Sequence, residues 1–211
     1  MSIMKIKISK AKTAGLMVSR GLRLCSGQVE PLTKQQIRSK ILKRLKTQKE
    51  EVRKRKSRLI LKQLFRQEAF KKAKAVMLYI SFGGEVNTAE MIKETRKLGK
   101  IVTVPVCTKN RVTLRPAILE ESASLNKGPY GVYEPKSKRS ICLEDLDLVI
   151  VPGIAFDKKG NRLGRGKGCY DHFLKKLPKD TPAIGLAFDF QILPALPAAK
   201  HDVSVNKVLF A

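Results

Sequence analysis

The chain has 211 residues, 43% of them hydrophobic, which suits one domain of generous size with a buried core. No stretch approaches the roughly 20 apolar residues of a membrane-spanning helix, so a soluble protein with no membrane partner is expected. Lys and Arg number 44 against 18 Asp and Glu, a formal charge of +26; such a field attracts nucleic acid, nucleotides or polyglutamylated metabolites without choosing among them.

Residues 1–33 are basic, with several serines and Glu30 as their single acid. They read as a flexible basic extension preceding a folded domain of residues 34–211. A mitochondrial presequence shares the acid-poor character and is the alternative; no apolar segment of a secretory signal is present. The four cysteines, Cys25, Cys107, Cys142 and Cys169, lie far apart with no CxxC pair, and the chain has two histidines. That spacing supports neither a zinc site nor a dense disulfide framework, and it fits a reducing, cytoplasmic setting.

From Leu32 to Ala75 the pattern is helical, with apolar stripes at Ile37, Ile41, Leu42 and Leu45 and again at Ile60, Leu61, Leu64 and Phe65. Thr33 suits an N-cap. Lys54, Arg55, Lys56 and Arg58 read as a solvated face. The period then changes. Short apolar runs at Ala75–Ile80, Lys100–Val106, Leu146–Val151 and Ala183–Phe188 read as buried strands. Helical segments at Thr88–Leu98 and Gly168–Leu177 lie between them, and Val112–Ala117 and Lys207–Phe210 suit short edge strands. Strands alternating with helices predict a single α/β domain with an open, mostly parallel, Rossmann-like sheet.

Strand Leu146–Val151 ends at Pro152-Gly153, and in open α/β sheets ligands sit beyond the carboxyl ends of strands. The loop that follows interleaves Gly160, Gly164, Gly166 and Gly168 with Arg162, Arg165 and Lys167. Glycines let backbone N–H groups approach an anion closely, and the cations add charge. The spacing matches neither the Walker A loop nor the dinucleotide-binding fingerprint. An anion site is the favoured reading; a solvent loop or an RGG-like nucleic-acid segment is the alternative.

The pattern Phe156-Asp157-x-x-Gly160-x-Arg162-Leu163-Gly164-x-Gly166-x-Gly168-x-Tyr170-Asp171 resembles the signature of the 5-formyltetrahydrofolate cyclo-ligase family. The similarity extends to Tyr79-Ile80-Ser81 with Glu85, to Gly185-Leu186-Ala187-Phe188 with Gln191-Ile192, and to His201-Asp202-Val203. It runs from about Lys34 to the end. The resemblance implies ATP- and Mg²⁺-dependent closure of 5-formyltetrahydrofolate, with or without a polyglutamate tail, to 5,10-methenyltetrahydrofolate. In that chemistry the formyl oxygen is phosphorylated, N10 attacks the activated carbon, and phosphate leaves. Such phosphoryl transfer asks mainly for positioning and charge neutralisation.

The resemblance also implies roles for particular residues. ATP would lie on Lys34, Arg38 and the run Arg162, Leu163, Gly164, Arg165, Gly166, Lys167, Gly168, Cys169 and Tyr170, with Arg165 and Lys167 as the catalytic cations. Folate would lie on Ile80, Glu85, Arg165, Gly166, Lys167, Gly168 and Cys169, and Mg²⁺ near Asp171 and Asp202. Periodicity adds that Lys34 and Arg38 fall inside the apolar arc of their helix, where charges need partners or snorkel at its rim. Glu85 follows a strand across Gly83-Gly84, and is either a substrate carboxylate or an exposed loop acid. Asp171 suits a helix cap as well as a metal site, and Asp202 an exposed acid. Tyr170 shares a helical stripe with Phe173, Leu174 and Leu177, so it suits the core as well as a ligand. Cys169 stands where the family usually has the first of two tyrosines, and His172 reads as a surface residue.

The expected partners are thus ATP and a reduced folate, with a monomer expected and no specific nucleic acid. The reading from another class is a basic nucleic-acid-binding protein, favoured by the charge alone. The absence of Trp and the 6% aromatic content speak against it.

Overall fold

A computed structural model describes residues 32–108, 113–128, 131–136 and 139–211. The expected extension 1–33 lies, but for its last two residues, outside them, as does Val112. The helical stretch resolves into α1 (Lys34–Thr47), α2 (Glu50–Phe65) and α3 (Glu68–Lys72). Thr33 caps α1 in a reciprocal box: its Oγ1 accepts from the Gln36 N–H at 3.3 Å, and its own N–H donates to Gln36 Oε1 at 2.8 Å.

There follow β1 (Ala75–Met77), α4 (Ala89–Lys97), β2 (Ile101–Cys107) and β3 (Leu114–Ile118). A small hairpin, β4 (Leu125–Lys127) and β5 (Tyr133–Pro135), precedes β6 (Leu148–Val151). Next come β7 (Ala155–Asp157), β8 (Arg162–Leu163) and α5 (Cys169–Leu174). The chain closes with β9 (Ala183–Ala187), β10 (Ile192–Leu193) and β11 (Lys207–Phe210).

The main sheet has six strands in the order β11-β9-β6-β1-β2-β3, parallel throughout except for β3 against β2. Its central strands alternate between two apolar clusters. Val76, Leu148, Ile150 and Ile184 pack toward α1, α2 and α4; Met77, Val149, Val151 and Ala183 pack toward α5 and Phe156. A strand buried on both faces reads as a continuous apolar run, which is how these runs were legible in the sequence.

Residues 32–211 form one compact unit. Among the described residues no helix is long and apolar enough to cross a membrane.

Three expectations are corrected in extent. The first strand keeps its ladder only to Met77, with the Leu78 N–H still donating to Thr103 O at 2.9 Å before the chain turns away. The helix expected over Gly168–Leu177 shortens to Cys169–Leu174. The loop after Pro152 contains a hairpin, β7 against β8, which continues through β10 as a separate three-stranded sheet. The chain leaves β1 for β2 on one side and leaves β6 for β9 on the other. The carboxyl ends of β1 and β6 therefore open a crevice at the switch point, where α/β sheets bind ligands.

Candidate active site

One wall of the crevice is the turn after β1. Glu85 N–H donates to Phe82 O at 3.3 Å, and Phe82 N–H donates to Glu85 Oε2 at 3.3 Å. Gly84 has φ +85°, and a Cβ placed there would lie 2.1 Å from the Leu45 carbonyl at the end of α1. Only glycine tolerates both the backbone angle and the approach. The turn is tied to the helical layer by Gln48 Nε2, which donates to Gly84 O at 2.6 Å, and by Arg53 Nε, which donates to Glu85 O at 2.9 Å.

These ties hold the Glu85 side chain inward, where the residue is 5% exposed. Burial raises its pKa, and Arg165, the Phe82 N–H and Arg53 pull it back only in part, so the carboxyl stays above its usual range.

The opposite wall is the glycine-rich segment after β6. Asp157 closes its hairpin by accepting from Lys159 N–H, Asn161 N–H, Asn161 Nδ2 and Leu196 N–H at 2.8 to 3.2 Å. Against the pull of burial, these bonds hold its pKa below the usual value. Asp157, Gly160 and Asn161 thus build the turn that aims the next residues.

Arg162 was expected beside Arg165 and Lys167 in the loop's opening. It is instead buried, with Nη2 donating to Asp171 Oδ1 at 2.9 Å and the guanidinium 5.5 Å from the Tyr170 ring centroid. Arg165 and Lys167 are exposed, on a loop wound through positive φ at Gly166 and Gly168. Arg38, from α1, donates Nε to Gly164 O at 2.9 Å and so pins the loop to the helix.

The walls meet through Arg165. Its Nη2 and Nε donate to Glu85 Oε1 at 2.9 and 3.3 Å, and its guanidinium lies 4.1 Å from the Phe82 ring centroid. A second bridge links the start of α1 to the C-terminal segment: Lys34 Nζ donates to Asp202 Oδ2 at 2.5 Å, which also accepts from Ala199 N–H at 2.7 Å. Burial pulls the Asp202 pKa up, but Lys34 and the Ala199 N–H outweigh it and hold the pKa low. Asp171 Oδ1 accepts from Val203 N–H at 3.2 Å, which ties it to the residue that follows Asp202.

Asp171 does not cap α5, which starts behind Gly168 without a side-chain cap. Among the described residues no three acids, cysteines or histidines cluster as metal ligands. His172 is exposed. Ile80 is partly buried and lines a cleft of about 490 Å³ with Arg53, Ser81, Thr88 and Leu119.

Two phenols feel the Glu85 charge, Tyr79 buried and Tyr170 half-buried. Tyr79 donates its hydroxyl to Val86 O at 3.3 Å; burial and the Glu85 charge push its pKa well up. The Tyr170 hydroxyl is buried with no hydrogen-bond partner among the described residues, and burial raises its pKa against the pull of Arg162. Cys169 is half-buried, and burial raises its thiol pKa more than Lys167 and Arg162 lower it. A thiolate nucleophile is therefore disfavoured.

Sequence reasoning missed Arg53, Phe82 and the turn-forming role of Asp157. Arg53 carried a readable signal: it shares the stripe of Ser57, Ile60 and Leu64, the buried face of α2.

The description "5-formyltetrahydrofolate cyclo-ligase family" belongs to the family model that matches residues 31–211. A mouse protein named 5-formyltetrahydrofolate cyclo-ligase is 32% identical over 188 residues, covering 84% of this chain and 93% of the relative. One from Haemophilus influenzae is 34% identical over 145 residues, covering 66% and 76%. The solution structure of an Aquifex aeolicus 5,10-methenyltetrahydrofolate synthetase superposes with TM-score 0.75 at 33% identity, covering 85% of this chain and 90% of that one. A synthetase structure from Mycoplasma pneumoniae shares the fold at TM-score 0.70 and 21% identity, covering 84% and 98%.

Proposed function

The chain belongs to the 5-formyltetrahydrofolate cyclo-ligase family, and on that premise we propose that it closes 5-formyltetrahydrofolate to 5,10-methenyltetrahydrofolate at the expense of ATP, releasing ADP and phosphate. The observation that carries the reading is the meeting of Glu85 and Arg165, 80 residues apart, across the crevice between β1 and β6. One is an anion suited to pterin N–H donors. The other is a cation on a glycine-wound loop suited to phosphate.

The residues divide the work. Lys167 and Arg165 neutralise the charge that develops as the formyl oxygen takes the terminal phosphoryl group and ADP leaves. A lysine ammonium about 4 Å from a phosphate charge contributes about 4 kcal/mol at an effective dielectric near 20, before desolvation. Arg38 holds the loop's backbone at Gly164, so the N–H groups of Gly166 to Cys169 keep a fixed curvature toward an anion. Glu85, with Ile80 as an apolar contact, fixes the pterin so that N10 faces the formyl carbon; N10 then bonds to that carbon, loses its proton, and phosphate departs with the formyl oxygen. No protein nucleophile is required, and the raised pKa of Cys169 agrees with that.

Asp171 and Asp202 offer the hard carboxylate oxygens that magnesium takes when most of its shell is phosphate and water. They fit that partial role, each already spending one oxygen on a cation and a backbone N–H. Asp171 and Asp202 would hold the ion from the protein side, and it would supply positive charge against the phosphates.

The test is turnover of 5-formyltetrahydrofolate followed by methenyl absorbance, with ATP and Mg²⁺ withheld in turn and ADP counted. One ADP per methenyl product is expected. Product formation without ATP, or none with both present, would overturn the reading.

A further inference from the structure

Glu85, assigned to folate, and Arg165, the cation proposed to meet phosphate, are paired with each other in this structure. We propose that Arg165, besides its role toward phosphate, occupies Glu85 until phosphate draws it away, so that nucleotide and folate favour each other's binding. The inference rests on the reading above and deepens it.

A carboxylate offers about four acceptor directions. Glu85 has committed three of them, two to Arg165 and one to the Phe82 N–H. A folate ring arriving first must compete with a guanidinium for Oε1.

The two partners are not equally fixed. The Glu85 side chain is 6% exposed, and its backbone is tied by Arg53 and by the Gly84 turn. The Arg165 side chain is 37% exposed and follows Gly164 and precedes Gly166, on the loop proposed to receive phosphate. Arg165 is therefore the partner that moves. Among the described residues its other hold is the face of Phe82, a contact of the kind that contributes modestly at an exposed position.

The pair has a physical reason to exist. A buried carboxylate without a partner is costly, so Arg165 sits on Glu85. A triphosphate offers that cation several negative charges, and pterin N–H groups then become the compensation for Glu85. Each ligand removes a cost the other would meet alone, and linkage requires the two effects to be equal.

The experiment measures Kd for 5-formyltetrahydrofolate on the full chain by calorimetry, with and without a non-hydrolysable ATP analogue and Mg²⁺, and then the reciprocal pair. Nucleotide is expected to tighten folate binding about tenfold, and folate to tighten nucleotide binding by the same factor. Phe82→Leu, which loosens the hold on Arg165 and keeps the Phe82 N–H, is expected to tighten folate binding in the absence of nucleotide and to shrink the factor. Arg165→Gln is expected to bring the factor to about one.

If both ligands bind and each ignores the other, the coupling is wrong and the proposed function stands. If Phe82→Leu leaves the factor intact, Arg165 is not the element that couples the sites. If neither ligand binds, the proposed function falls and this inference with it.

Discussion

Glu85→Gln keeps the shape of a buried side chain and removes its charge. An amide has one acceptor oxygen, so it cannot serve both Arg165 and the Phe82 N–H as the carboxylate does. On the proposed reading the pterin donors lose a charged acceptor. Hydrogen bonds to charged groups contribute about 1.5–3 kcal/mol, which corresponds to a rise of about 10- to 150-fold in folate KM. ATP should bind as well as before or better, because Arg165 is held less firmly.

Stability moves the other way. The folded pKa of Glu85 is raised above its ordinary value of 4.5, burial being the largest cause. The native state therefore binds the proton more tightly than the unfolded chain, and ionised Glu85 costs stability at neutral pH. That cost shrinks as pH falls through the folded pKa toward 4.5. The variant should accordingly hold or raise the thermal midpoint at pH 7, and the difference from the parent should narrow as pH is lowered. Steady-state kinetics in both substrates, with thermal unfolding across pH, measure all of this. An unchanged folate KM would refute the substrate role. Equal losses in both KM values with a lower midpoint would show that Glu85 serves the fold instead.

Gly84→Ala combines a backbone angle of +85° with a Cβ set against the Leu45 carbonyl, so a loss of about 2–4 kcal/mol is expected, with weaker folate binding, read from the thermal midpoint and folate KM. Lys167→Ala, on the exposed loop, should raise ATP KM and lower kcat while leaving stability within about 0.5 kcal/mol; wild-type kinetics would remove Lys167 from the mechanism. Asp157→Ala strips one acceptor from four N–H groups and should cost about 3 kcal/mol. Because the Asp157 pKa is lowered, its contribution is full above the ordinary value of 3.8 and is lost as pH falls below it, so parent and variant should converge in acid. Raising ionic strength should lower kcat/KM more than kcat, measured across a salt series.

The strand runs were legible because a central parallel strand is apolar on both faces, and Val76, Ile150 and Ile184 needed no further cue. The Thr33 cap was legible because a side-chain oxygen three residues before Gln36 is a local device. Arg162 was not, since its apparent role came from its neighbours in sequence. A two-residue strand turns it away from Arg165 and Lys167, and only the distant Asp171 shows why. Asp202 was harder still: its partner Lys34 lies at the other end of the described chain, and no period relates them. Sequence placed Lys34 and Arg38 on the buried arc of α1 and so required partners for them. Asp202 and the Gly164 carbonyl are those partners. The exposure of Arg165 and Lys167 follows from Gly164, Gly166 and Gly168, which were legible as glycines but not as a direction.

These pairings bear on what the +26 charge does. Three of the proposed site's cations, Lys34, Arg162 and Arg165, each hold a carboxylate, in Asp202, Asp171 and Glu85. A site so balanced does not generate the field of the chain. Residues 34–74, which carry 17 Lys and Arg against three acids, contribute far more. Most of those cations lie on the exposed faces of α1 to α3, away from the buried stripes of Ile37, Ile41, Ile60 and Leu64. Exposed charges act over a Debye length of about 8 Å at physiological salt, so they draw anions toward the layer that bears Lys34 and Arg38 without fixing their geometry. On the proposed reading binding geometry is left to the paired residues, whose carboxylates are largely buried and so are screened less. That division is why salt is expected to act on encounter, through kcat/KM, while the chemistry proposed for Arg165, Lys167 and Glu85 changes less.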